Sequence, residues 1–123
     1  MARILVVEDN AVNMRLTVTL LQREGHEVLE AADAEEGTRL ARERLPELIL
    51  MDVQLPGMDG LAASRLLKAD PLTRGIKIVA LTALAMKGDR ERVAAAGCDG
   101  YISKPIRYQH FLKVVGEMVA NEF

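Results

Sequence analysis

Glu8 and Asp9 follow the apolar run Ile4-Leu5-Val6-Val7, Asp52 follows Leu48-Ile49-Leu50-Met51, Thr82 follows Ile76 to Leu81, and Lys104 follows Gly100-Tyr101-Ile102-Ser103. If these runs are parallel strands, the residues just after them share the sheet edge where open α/β folds bind ligands. With the first and third strands adjacent, Glu8, Asp9 and Asp52 meet. Carboxylates crowded into one pocket repel and raise one another's pKa unless a cation lies among them. Hard oxygen donors favour Mg²⁺, which keeps several waters and takes one or two carboxylates together with a phosphate. An aspartate can be the nucleophile that becomes an aspartyl phosphate. A lysine opposite can neutralise a phosphoryl oxygen, and a hydroxyl can hydrogen-bond another. The chemistry is that of a Mg²⁺-dependent phosphoryl acceptor site. Taken singly, each residue has a plainer reading: a solvated turn or N-cap for the acids, a turn hydroxyl for Thr82, a surface cation for Lys104. Their common edge is what joins them.

The elements that must position these residues follow from periodicity. Runs apolar at consecutive positions suit strands buried on both faces of a parallel sheet. The alternating His26 to Glu30 suits an edge strand with one wetter face. Between the runs lie crossover helices. Asn10 is a good N-cap for a helix whose apolar stripe is Asn13, Leu16, Thr17, Leu20 and Leu21, stopping at Gly25. Asp33-Ala34-Glu35-Glu36 resembles a capping box, and that helix ends before Pro46. A third helix runs from near Asp59 to before Pro71, and a short fourth from Asp89 to Ala96. In the last, Tyr108, Phe111, Leu112, Val115 and Val119 recur at helical spacing. Five strand-helix units with right-handed crossovers give an α/β, doubly wound (βα)5 flavodoxin-like fold. Its five-stranded parallel sheet is of order 2-1-3-4-5 with helices on both faces.

Composition sets the class. The 123 residues fit one domain, taken as residues 1–123, and half of them are hydrophobic. Sixteen basic against eighteen acidic residues argue against a nucleic-acid binder, which needs a clustered basic surface. The single Cys98 excludes an internal disulfide and suits a reducing compartment. Neither a span-length apolar run nor a signal peptide is legible, so the expected setting is cytoplasmic with no membrane insertion.

Val7-Glu8-Asp9-Asn10, Leu50 to Gly60, Ala80-Leu81-Thr82-Ala83 and Tyr101 to Ile106 together resemble the receiver domains of bacterial two-component response regulators, in order and in spacing. Ala85 to Asp89 and Gly97-Cys98 look most like the stand-alone DivK type and like receivers attached to hybrid histidine kinases. The resemblance implies that Asp52 accepts a phosphoryl group from the phosphohistidine of a histidine kinase or histidine phosphotransferase. It implies Mg²⁺ as cofactor, held directly by Asp9, mainly through water by Glu8, and also by Asp52 and the backbone carbonyl of Gln54. Lys104 would pair with the phosphoryl group, and Pro105 would follow a cis peptide bond. Thr82 and Tyr101 would be the switch, the hydroxyl moving toward the phosphoryl oxygen and the ring turning inward behind it. The fourth helix, fifth strand and fifth helix would then change their contacts with a downstream protein target. The family's docking face for the phosphodonor lies on the first helix, where Met14 and Val18 are expected to face solvent off the apolar stripe. Gln54 and Leu84 occupy positions that tune access of water. Leu84 cannot orient an attacking water, so dephosphorylation is expected to be slower than in the chemotaxis regulators.

An aspartyl-nucleophile phosphatase needs a D-x-D-x-T pattern, which neither Glu8-Asp9-Asn10 nor Asp52-Val53-Gln54 supplies. A flavin binder needs N–H and hydroxyl donors after the first strand, where this chain has two carboxylates. A phosphate sink and a receiver cut from a hybrid kinase stay within the resemblance; the initial Met1 and short tail favour a stand-alone protein. A phosphorylation-dependent dimer through the last helix is left open.

Overall fold

The computed structural model describes residues 2–55, 57–83 and 88–120. The sequence position Leu84 and the segment Ala85 to Lys87 lie outside them. The elements alternate as β1 (Arg3–Val7), α1 (Ala11–Arg23), β2 (Glu27–Ala31), α2 (Ala34–Arg44), β3 (Leu48–Asp52), α3 (Gly60–Ala69), β4 (Lys77–Thr82), α4 (Asp89–Ala95), β5 (Gly100–Ser103) and α5 (Tyr108–Ala120). All neighbouring strands pair in parallel, in the order β2-β1-β3-β4-β5. β3 at the centre is buried at every position, and edge strand β2 exposes Glu27 and Glu30.

Strand periodicity divides the core. Leu5, Val7, Ile49, Met51 and Ile78 face a layer that includes Ala34 and Ala41 of α2 and Ala63 and Leu67 of α3. The alternate residues Ile4, Val6, Leu48, Leu50 and Val79 face Leu21 of α1 and Phe111 and Val115 of α5. Successive side chains point to opposite faces, so one apolar run supplies both layers.

Capping fixes where helices begin. Asn10, Asp33 and Asp59 each accept a hydrogen bond from the backbone N–H three residues on, at 3.0, 2.8 and 2.8 Å. At α2 the expected capping box closes one residue early, because Glu36 accepts from the N–H of Ala32 at 3.0 Å. Away from the helix starts, Lys68 of α3 donates to the carbonyl of Ile76 at 2.8 Å and to Asp99 Oδ2 at 2.9 Å. Asp99 Oδ2 also accepts from the N–H of Ile78 at 2.8 Å, so one half-buried ion pair ties α3, β4 and the turn into β5.

One helix is rotated from the sequence expectation, and a second departs from it at a single position. In α1 the inward stripe is Met14, Thr17, Val18 and Leu21: Val18 is buried, and Met14 packs on the core beside Leu21. Met14 and Val18 therefore do not form a solvent-facing pair. Val12 and Leu16 do face solvent, at 76% and 44% exposure. Both stripes share positions 17 and 21, so spacing along the helix fits either, and packing on the sheet selects the one that buries Val18. In α5, Tyr108 is exposed, because it stands at the helix's first position ahead of the buried Phe111 and Val115.

Candidate functional site

β1 and β3 run side by side, with Val7 opposite Met51, so the residues that follow them, Glu8 and Asp52, emerge together. The N–H of Glu8 continues the ladder to the carbonyl of Ala31 at 3.0 Å. Glu8 and Asp52 are both buried at 2% exposure, whereas Asp9 is exposed. Sequence treats the two acids of the pair alike; the structure makes one an interior group and the other a rim group.

Lys104 reaches the cluster from the far side of the sheet. Its Nζ lies 3.1 Å from Asp52 Oδ2 and 3.3 Å from Glu8 Oε1. Its backbone is held by β4, since the N–H of Lys104 donates to the carbonyl of Thr82 at 2.8 Å. The Lys104–Pro105 peptide bond is cis. Asp52 Oδ1 accepts from the N–H of Gln54 at 3.0 Å, and Glu8 Oε2 accepts from the N–H of Asn10 at 3.3 Å. Asp52 thus has one carboxylate oxygen oriented by its own loop and the other by a cation. Thr82 is buried at the end of β4, opposite Ser103. Tyr101 is half-buried and opposite Ala80, one strand pair back from the acids.

Electrostatics follow from this packing. Glu8 is raised from its ordinary 4.5 to about 7. Burial is the largest cause, the nearby Asp52 adds to it, and the Asn10 N–H and Lys104 pull the other way. Mutual repulsion, the cause expected from sequence, ranks below both desolvation and the hydrogen bond with Asp52.

The donor set fits a divalent cation. Glu8, Asp9 and Asp52 each offer a carboxylate oxygen, and these lie within 4.8 Å of one another. Glu8 Oε1 is buried and accepts no hydrogen bond, with the Lys104 ammonium at 3.3 Å as its ion-pair partner. Among the described residues, the Lys104 ammonium pairs with Glu8 and Asp52 in a cluster of three carboxylates, so negative charge remains for a hard cation to neutralise.

Gly60 is the functional position that sequence reasoning missed. A Cβ built there would lie 2.0 Å from the backbone oxygen of Asp52. α3 therefore starts hard against the strand end that carries Asp52, and only glycine permits the approach. The signal was present: glycine opens a helix already capped by Asp59, a place where propensity gives no reason for it.

No helix among the described residues is long and apolar enough to cross a membrane. The chain is 45% identical over 112 residues to the polar-differentiation response regulator DivK of Brucella anthropi, a match covering 91% of each. Its fold matches the receiver domain of a sensor histidine kinase from Pseudomonas aeruginosa PAO1, in which a magnesium ion is coordinated in the active-site cleft. That match has TM-score 0.90, 35% identity and 98% coverage of both chains. A signal receiver domain of a histidine kinase from Syntrophus aciditrophicus matches with TM-score 0.93 and 30% identity, over 99% of this chain and 92% of that one. The family model for the response regulator receiver domain matches residues 4–116, and with the sheet order and the acidic edge already described, the chain belongs to that family.

Proposed function

We propose that the chain is a phosphorylation switch that accepts a phosphoryl group from a phosphohistidine onto Asp52. The observation that carries this is the single ammonium of Lys104 set against both buried carboxylates, at 3.1 and 3.3 Å, beside the exposed Asp9. An Asp52 carboxylate oxygen forms the new O–P bond as the N–P bond of the donor breaks, and the imidazole leaves with the electron pair and takes up a proton. The N–H of Gln54 orients the nucleophile, Lys104 balances charge on the transferred oxygens, and the Thr82 hydroxyl serves another of them. Glu8, Asp9, Asp52 and the Gln54 carbonyl would hold Mg²⁺, which would supply charge neutralisation at the phosphoryl oxygens.

Acetyl phosphate with Mg²⁺ adds about 80 Da to the intact chain. The adduct is lost in Asp52→Asn and without Mg²⁺. An adduct that survives Asp52→Asn, or none from either acetyl phosphate or a phosphohistidine protein, overturns the assignment.

The donor, a histidine kinase or phosphotransferase, docks on α1 beside the site. Leu16 is 44% exposed and, with Asn13, Pro105, Ile106 and Lys104, lines a groove of about 440 Å³. This surface takes the place expected for Met14 and Val18. Leu16→Asp slows uptake from a phosphohistidine donor about tenfold, equivalent to about 1.4 kcal/mol of docking energy. It leaves uptake from acetyl phosphate unchanged, and equal slowing with both donors would remove Leu16 from the docking surface. Output runs through α4, β5 and α5, with Thr82 and Tyr101 as the switch pair, toward a downstream protein target.

A further inference from the structure

Arg90, in the first turn of α4, holds its guanidinium carbon 5.4 Å from the ring centroid of Tyr101 on β5. A cation at that distance over a tyrosine face is attracted by the ring quadrupole. The ring also packs against a small cluster that joins Leu61 of α3, Ala80 of β4 and Val93 of α4, together with Ala96. Arg92, two residues along, pairs with Asp89 at 3.4 Å, whereas Arg90 enters no ion pair among the described residues. α4 is also entered through Gly88 with no side-chain cap hydrogen bond, unlike α1, α2 and α3.

We propose that Arg90 is a positioning residue of the switch: it clasps the Tyr101 ring in the unphosphorylated chain and so opposes phosphoryl uptake at Asp52. The inference rests on the reading of Tyr101 as a switch residue. A contact made in one state only stabilises that state by its own strength, and a reaction that favours the other state must overcome it. The positive charge is the part that matters, because an apolar chain of similar length would fill the space without attracting the ring face.

The test uses the full chain, with initial uptake from acetyl phosphate and Mg²⁺ as one readout and NMR of the Arg90 Nε–H as the other. Arg90→Met, matched to the native protein in thermal stability, takes up phosphate about 2- to 5-fold faster. Arg90→Lys, which keeps the charge, stays near the native rate. In a Tyr101→Leu background, Arg90→Met produces no further change. The Arg90 Nε–H resonance carries a ring-current shift in the native chain and loses it in Tyr101→Leu. Unchanged or slower uptake in Arg90→Met, or the same acceleration with Tyr101 already replaced, overturns the clasp while leaving Tyr101 as a switch. Native uptake in Tyr101→Leu overturns the switch reading, and the clasp with it.

Discussion

Gly60→Ala costs the fold about 3 kcal/mol or more, above the usual range for overpacking. The added Cβ meets the Asp52 backbone oxygen at 2.0 Å, its carbonyl carbon at 2.9 Å and the Met51 side chain at 3.0 Å. Real side chains yield to such contacts by rotating, but two of these partners are backbone atoms. Nor can that backbone retreat, because β3 is hydrogen-bonded between β1 and β4. The alternative is for α3 to withdraw, which breaks the Gly60 N–H bond to the Val53 carbonyl at 3.2 Å and loosens the loop that holds Asp52 Oδ1. Urea unfolding therefore shows a lower midpoint, and the remaining folded protein takes up phosphate more slowly. Gly116 in α5 is the control, with nothing within 4 Å of its added Cβ. Gly116→Ala raises stability by about 0.5–1 kcal/mol through helix propensity. Equal stability of Gly60→Ala and the native chain would mean that the approach of α3 to Asp52 is not as close as described.

Glu8→Gln makes the metal-free protein more stable at pH 8 and leaves it nearly unchanged at pH 4. The folded-state value of about 7 stands above the ordinary 4.5, so between those pH values the native chain holds a proton that the unfolded chain has lost. Stability of the native protein then falls as pH rises through the window. Below 4.5 the carboxyl is neutral in both states and carries no penalty; above 7 it is ionised in both and carries all of it. A glutamine keeps the shape and an acceptor oxygen but never ionises. Its advantage above pH 7 is on the order of 3 kcal/mol, from the size of the displacement at about 1.36 kcal/mol per pH unit. Saturating Mg²⁺ reverses the order, because the native carboxylate gains a cation and the amide does not. Unfolding curves at the two pH values, with and without Mg²⁺, check both halves. A variant less stable than the native chain at pH 8 without metal would mean that attraction to Lys104 outweighs burial.

Much of the frame was legible in the chain. Apolar runs at 4–7, 48–51, 76–81 and 100–103 became β1, β3, β4 and β5 with ends shifted by a residue or so, and Asn10, Asp33 and Asp59 cap the helices they precede. These signals are local: alternation along a strand and a side chain meeting an N–H three residues on are decided within a few positions. The gathering of Glu8, Asp52, Thr82 and Lys104 at one edge was legible too, since each follows a strand and parallel strands share a carboxyl edge.

The rest needed the folded chain. Whether Leu16 or Val18 faces the sheet depends on how α1 lies against the sheet and α5, because the two candidate stripes share Thr17 and Leu21. Glu8 and Asp9 are adjacent and chemically alike, yet Glu8, which continues the β1 ladder, is buried with its pKa raised, and Asp9 stands exposed at the rim. The need for glycine at position 60 comes from a carbonyl eight residues earlier, the Lys68–Asp99 tie spans 31 residues, and Arg90 meets Tyr101 across a helix and a strand. A rule of periodicity or capping sees neighbours along the chain. These contacts join residues whose separation in space is set only when helices pack on the sheet, so the sequence by itself determined the elements and the chemistry at their ends, and packing decided which atoms face one another there.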